Sequence, residues 1–101
     1  MSDGPGTPRL WAIVVTYHRP AELKNMLAKL SEQTRPPDRV IVVDNGSQPD
    51  ACRAAEEAGA TYLDAGDNLG PAGGIALGMQ HVLDRADDRD WLVLCDDDDP
   101  P

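Results

Sequence analysis

"RVIVVDNGSQPDACRAAEEAGATYLDAG", residues 39–66, reads as strand, turn, helix and strand in succession. Val40, Ile41, Val42 and Val43 run without a polar interruption, and such a run fits a strand covered on both faces better than one with a wet side. "NGSQPD" has turn chemistry, and "ACRAAEEAG" is a short Ala-rich helix with Gly59 placed to close it. "ATYLDAG" is a weaker strand. Two strands joined through a helix pair in parallel, so this one segment already points to an α/β sheet.

The flanking sequence repeats the pattern. Upstream, "LWAIVVTY" is a second near-continuous apolar run. It leads into "HRPAELKNMLAKLSEQTRPP", where Leu23, Met26, Leu27 and Leu30 keep a helical period behind Pro20, and Pro36 and Pro37 are expected to end the helix. Downstream, the Gly-rich "DNLGPAGG" precedes "IALGMQHVLDRA", with Ile75, Met79, Val82, Leu83 and Ala86 on one expected core stripe. "WLVLC" then reads as a fourth buried strand. The expected fold is a parallel, Rossmann-like, three-layer αβα sheet over residues 10–101, behind a flexible Gly/Pro-rich leader at residues 1–9.

Composition narrows the function. A net charge of −9 argues against gripping nucleic acid through surface charge, since that mode of binding uses Lys and Arg. An anionic ligand would need a metal ion or a local patch of donors. Two unpatterned cysteines suggest neither a disulfide framework nor a zinc site, and nothing near Met1 reads as a signal peptide. The expected location is cytoplasmic. No apolar stretch approaches the roughly 20 residues that span a bilayer.

Ligands of open parallel sheets bind beyond the carboxyl ends of the strands. The residues expected there are Thr16, Tyr17 and His18, then Asp44, Asn45, Gly46 and Ser47, then Asp67, Asn68 and Gly70, then Asp96 to Asp99. "VVDNGS" offers a carboxylate for a base or ribose, though Asp-Asn-Gly-Ser alone is equally good turn chemistry. "NLGPAGG" allows close backbone approach to a phosphate before a helix, but it lacks the Gly-Lys-Ser/Thr of a Walker loop. "CDDDDPP" places hard oxygen donors just past a strand, which suits Mg²⁺ or Mn²⁺ holding a diphosphate; the competing reading is a solvated acidic tail. His18, beside Arg19, is as readily a loop residue as a phosphate contact. His81 is expected on the polar side of its helix, and Cys95 is expected in the core.

With these words in this order, the chain resembles the N-terminal half of a GT-A glycosyltransferase of family 2, over about residues 10 to 99. The matching segments are "VVTYHRP", "LSEQTRPPDRVIVVDNGS", "DNLGPAGG" and "WLVLCDDDD". The likeness is greatest to the rhamnosyltransferase and galactofuranosyltransferase branch, which works in cell wall or polysaccharide biosynthesis. It implies an inverting, metal-dependent transfer from a UDP- or dTDP-linked sugar to a hydroxyl of a glycan, lipid-linked or small-molecule acceptor. It further implies that Thr16 and Tyr17 line the nucleotide pocket with His18 and Asn45, and that Asp44 binds base or ribose. Asn68, Gly70, Gly74 and Asp97 would face the nucleotide sugar. Asp96 and Asp98 would hold the cation, with Asp97 and Asp99 as the other pair of the same spacing. His18 stands where the family usually has Asn.

The resemblance places the general base and the acceptor site beyond Pro101, so the chain is expected to stop after its fourth strand and to be inactive alone. An uncovered edge, self-association and a membrane-peripheral whole protein are part of the same expectation. The competing classes are a non-catalytic cation- or partner-binding module and a phosphotransfer domain of the receiver or haloacid-phosphatase type. The absence of any Lys after Lys29 weighs against the latter.

Overall fold

The computed structural model describes residues 8–18 and 20–96. Seven elements alternate: β1 Leu10–Thr16, α1 Pro20–Ser31, β2 Arg39–Asp44, α2 Pro49–Glu57, β3 Thr61–Asp64, α3 Gly70–Leu83 and β4 Trp91–Asp96. The strands form one sheet in the order β3-β2-β1-β4, and every pairing is parallel. The expected α/β class and Rossmann-like sheet are therefore what the chain forms. The leader at residues 1–7, Arg19 and the aspartates Asp97, Asp98 and Asp99 lie outside the described residues.

Alternation along the strands sorts the core into two layers. Ala12, Val14 and Val42 point to one face, where Leu23, Leu27 and Leu30 of α1 and Ala51, Ala54 and Ala55 of α2 cover them. Trp11, Ile13, Ile41 and Val43 point to the other, where α3 supplies Val82 and the half-buried Leu77. β1 and β2 are thus covered on both sides, as their unbroken apolar runs require.

Helix boundaries depart from expectation at two places. α1 ends at Ser31, well before Pro36, because its apolar period ends at Leu30 and the chain tightens there, with Glu32 N donating to both Ala28 O and Lys29 O. α3 begins at Gly70, so the glycines expected in a loop lie inside the helix. Val82 and the half-buried Ala86 keep the expected stripe, but the rest of the buried face is rotated from it. Gly74, Gly78 and Val82 face the sheet, while Met79 and Leu83 are exposed, the latter by 68%. The reason is contact distance: a Cβ on Gly78 would lie 2.8 Å from Ile13 Cγ2, and one on Gly74 would lie 2.8 Å from Val15 Cγ1. Only glycine lets the helix backbone rest this closely on β1 and β2. His81, expected on the polar side, is half-buried, and burial holds its imidazole below the usual range.

β4 corrects a further expectation. It is an edge strand whose sole strand neighbour among the described residues is β1, and α3 packs over β1 and β2 instead. Trp91 and Leu94 are consequently 69% and 53% exposed, with Leu92 and Val93 exposed beside them. Register puts Trp91 and Val93 on the α1 side and Leu92 and Leu94 on the α3 side, so these four residues are uncovered on both faces among the described residues, while Cys95 packs against the α1-side core.

The amino end of β1 is held by two carboxylates. Asp38 Oδ2 accepts from Leu10 N at 2.7 Å, while Asp90 accepts from Arg9 N at 2.9 Å and from Trp11 Nε1 at 2.8 Å. Backbone hydrogen bonds, to Leu10 for Asp38 and to Arg9 for Asp90, are the main cause holding both carboxyls below the usual carboxylate range. A folded-state value below the unfolded one, about 3.9, means that their stabilisation is complete above that pH and is lost as pH falls through the folded values. The denaturant midpoint should therefore hold from neutral pH to about pH 5 and fall below about pH 4. In the Asp38→Asn, Asp90→Asn double variant that fall should shrink, and an unchanged acid profile in the variant would refute this account.

Candidate functional site

The strand order creates a crevice. From β1 the chain crosses through α1 to β2 on one side, whereas from β3 it crosses through α3, on the opposite face, to β4 on the other side of β1. The gap between the carboxyl ends of β1 and β4 is thus the topological switch point, where ligands of open α/β sheets bind. Thr16, Tyr17 and His18 leave β1 at this gap, and register sets the backbone of Asp96 beside Val15 on its other wall. There the first sequence constellation meets the backbone of Asp96, where the last one begins. The second closes on them from the β2 side, because Thr16 is in register with Asp44.

Asp44 is completely buried, and both of its oxygens are engaged within the protein. Oδ1 accepts from Gly46 N at 2.8 Å, and Oδ2 accepts from Gln48 N and from Tyr62 Oη, each at 2.7 Å. One carboxylate therefore shapes the turn, satisfies an amide at the start of α2 and ties in β3. Burial, together with the Asp44 hydrogen bond and charge, pushes the Tyr62 hydroxyl far above its usual range, so it stays a proton donor. The contact with base or ribose expected for Asp44 is not available to a side chain enclosed in this way.

Asn45 takes the more central position. Its backbone N donates to Thr16 O at 2.8 Å, and its Nδ2 donates to Gly70 O at 3.1 Å. Its Oδ1 accepts from Leu69 N at 3.4 Å. The side chain is nearly buried and joins the ends of β1 and β2 to the start of α3. Asn68 Oδ1 accepts from Gly70 N at 3.0 Å, and Gly70 adopts φ +75°, a conformation that favours glycine. Gly74 turns toward Val15 and the Asn45 amide, so its lack of a side chain serves helix packing at this point. Ser47 Oγ donates to Asp64 Oδ1 at 2.5 Å, and this bond is the main cause holding the Asp64 carboxyl below its usual range.

Thr16 Oγ1, at the carboxyl end of β1, and Gln48 Oε1 are buried without a hydrogen-bond partner among the described residues, and buried polar atoms of this kind are ordinarily satisfied by water or ligand. Tyr17 is 47% exposed, and His18, also exposed, has φ +54°. Burial pushes the Cys95 thiol up, in keeping with a packing role. Among the described residues no group of three His, Cys, Asp or Glu side chains converges on a metal position, and no helix is long and apolar enough to cross a membrane. A cleft of about 590 Å³ between α1 and α2 opens beside Val40 and Ala60, at the amino ends of β2 and β3 and away from this edge. Tyr62, Gln48 and the linking role of Asn45 had no signal in the sequence beyond turn composition.

A parallel sheet with polar side chains gathered at its switch point defines an open α/β domain of the Rossmann-like class. The chain belongs to glycosyl transferase family 2, whose family model matches residues 11–101. It is 47% identical over 96 residues to galactofuranosyltransferase GlfT1 of Mycobacterium tuberculosis, covering 91% of this chain and 31% of that protein. To GlfT1 of Mycolicibacterium smegmatis it is 44% identical over 92 residues, covering 89% of this chain and 30% of the relative. The chain thus spans about a third of the length of the curated relatives it matches. Among solved structures, the mannosyltransferase PcManGT of Pyrobaculum calidifontis, in complex with GDP-Man and Mn²⁺, superposes with a TM-score of 0.64 at 25% identity. That match covers 73% of this chain and 24% of the other.

Proposed function

We propose that this chain is the donor-binding part of an inverting glycosyltransferase that moves a sugar from a UDP- or dTDP-linked donor to a hydroxyl acceptor. The observation that carries the reading is the switch-point crevice, with the end of β1 on one wall and the backbone of Asp96 on the other. Thr16, Tyr17, His18 and Asn45 line the nucleoside side. Asn68 and Gly70 border the sugar side, joined to the nucleoside side through Asn45. Asp44 acts behind them by holding the turn.

Carboxylate oxygens are the donor type that Mg²⁺ and Mn²⁺ take, and the backbone of Asp96 reaches the crevice, so the donor chemistry of the acidic run suits such an ion. Asp96 and Asp98 would hold it, with Asp97 against the donor. When bound, the cation supplies Lewis-acid stabilisation of the departing nucleoside diphosphate. The comparison with PcManGT supports this choice of cofactor, since that protein holds Mn²⁺ with a nucleotide sugar. Acceptor binding and proton removal from the acceptor are assigned to the remainder of a longer protein, as the relatives are about three times the length of the match.

Titration with UDP and with dTDP, each with and without Mn²⁺, tests the reading. Nucleotide binding strengthened by the metal is expected. Metal uptake with no nucleotide binding would instead identify a cation-binding module. Light scattering on the same sample addresses the bare β4 edge: growth of mass with concentration is expected from its open pairing groups and exposed Trp91 and Leu94, and a strict monomer would remove self-association from the proposal.

A further inference from the structure

We infer that His18 is a positioning residue that sets the ring of Tyr17 as a wall for the nucleobase, and that backbone strain is retained at His18 for this purpose. The inference rests on the donor-binding reading above. His18 and Ser47 are the described non-glycine residues with positive φ, at +54° and +52°, and both stand at this one edge of the sheet. A side chain in the left-handed region costs free energy, and such strain persists where the surroundings impose it. Ser47 has a visible return in its bond to Asp64. The return at His18 is ring packing: its imidazole meets the Tyr17 ring edge to face, with centroids 4.2 Å apart and planes at 82°.

The other side of the imidazole lies over the turn after β2. A Cβ on Gly46 would fall 3.2 Å from His18 Cδ2 and Nε2, tighter than ordinary van der Waals contact, so a side chain at Gly46 would crowd the imidazole. Gly46 is in turn held by Asp44. The contacts run in sequence from the buried Asp44 carboxylate through Gly46 and the imidazole to Tyr17, which is 47% exposed at the carboxyl end of β1. A planar aromatic base is the chemistry such a ring accepts, and pyrimidine nucleosides are the probes.

The experiment compares the chain with its His18→Gly and Gly46→Ala variants, reading the thermal midpoint of unfolding and calorimetric affinity for UDP and uridine. Glycine relieves the strain at position 18, so the midpoint should stay level or rise. Affinity for both ligands should fall about two- to tenfold, the range expected for loss of one aromatic pair. Gly46→Ala keeps the imidazole but crowds it, and should weaken both ligands in the same direction. Equal affinity in the His18→Gly variant overturns the inference while leaving the donor-binding reading intact. A loss confined to UDP also overturns it, because the imidazole would then be acting on phosphate. Failure of the unaltered chain to bind either ligand overturns both readings.

Discussion

Asp44→Ala is expected to destabilise the chain by about 3–5 kcal/mol, close to the whole stability of a domain this small. The substitution removes an acceptor that serves Gly46 N, Gln48 N and Tyr62 Oη together, and it leaves those donors in a region where Asp44 itself has no solvent exposure. Tyr62→Phe takes away one donor and leaves the carboxylate its two amides, so it should cost only about 1–2 kcal/mol. Denaturant unfolding of the two single variants and the double variant checks this. The double variant should be less destabilised than the sum of the singles, since the two share one bond. A midpoint for Asp44→Ala equal to that of the unaltered chain would contradict the structural role.

Asp98→Asn should abolish the metal-dependent part of nucleotide binding, a loss of at least about 100-fold, because removing a metal ligand exceeds the effect of altering an outer-shell partner. The motivating feature is the run Asp96 to Asp99, which begins on the last residue of β4. Calorimetry with UDP and Mn²⁺ reads the effect, and Asp50→Asn on α2, where Asp50 pairs with Arg53, controls for loss of one negative charge elsewhere. Unchanged affinity in Asp98→Asn, with the loss appearing in Asp97→Asn and Asp99→Asn, would move the cation to the other pair.

Residues that a strand buries on both faces announce themselves, and so β1 and β2 were legible from "AIVV" and "VIVV" without coordinates. The turn after β2 was equally legible as Asp-Asn-Gly-Ser. The sequence could not say whether its carboxylate faced a ligand or the protein, since that depends on Tyr62, eighteen residues away on another strand. α3 misled for a related reason. Apolar residues at 75, 79 and 83 and the residues Gly74, Gly78 and Val82 share one period, one step apart around the helix. Burial area alone favours the larger set.

The sequence by itself determined the α/β class, the order of elements, the acidic run and the kinship to a transferase family, because apolar periodicity and turn chemistry are local properties of a chain. Tertiary structure alone decided that β4 lies beside β1 and not beside β3, and this placement makes the switch-point crevice. It alone decided that α3 meets the sheet through glycine, where Ile13 and Val15 leave no room for a Cβ. It alone turned Asp44 inward and left the nearly buried Asn45 to join three segments of the site. Each of these outcomes depends on which distant side chains come within a few ångströms, and no pattern within one element carries that information.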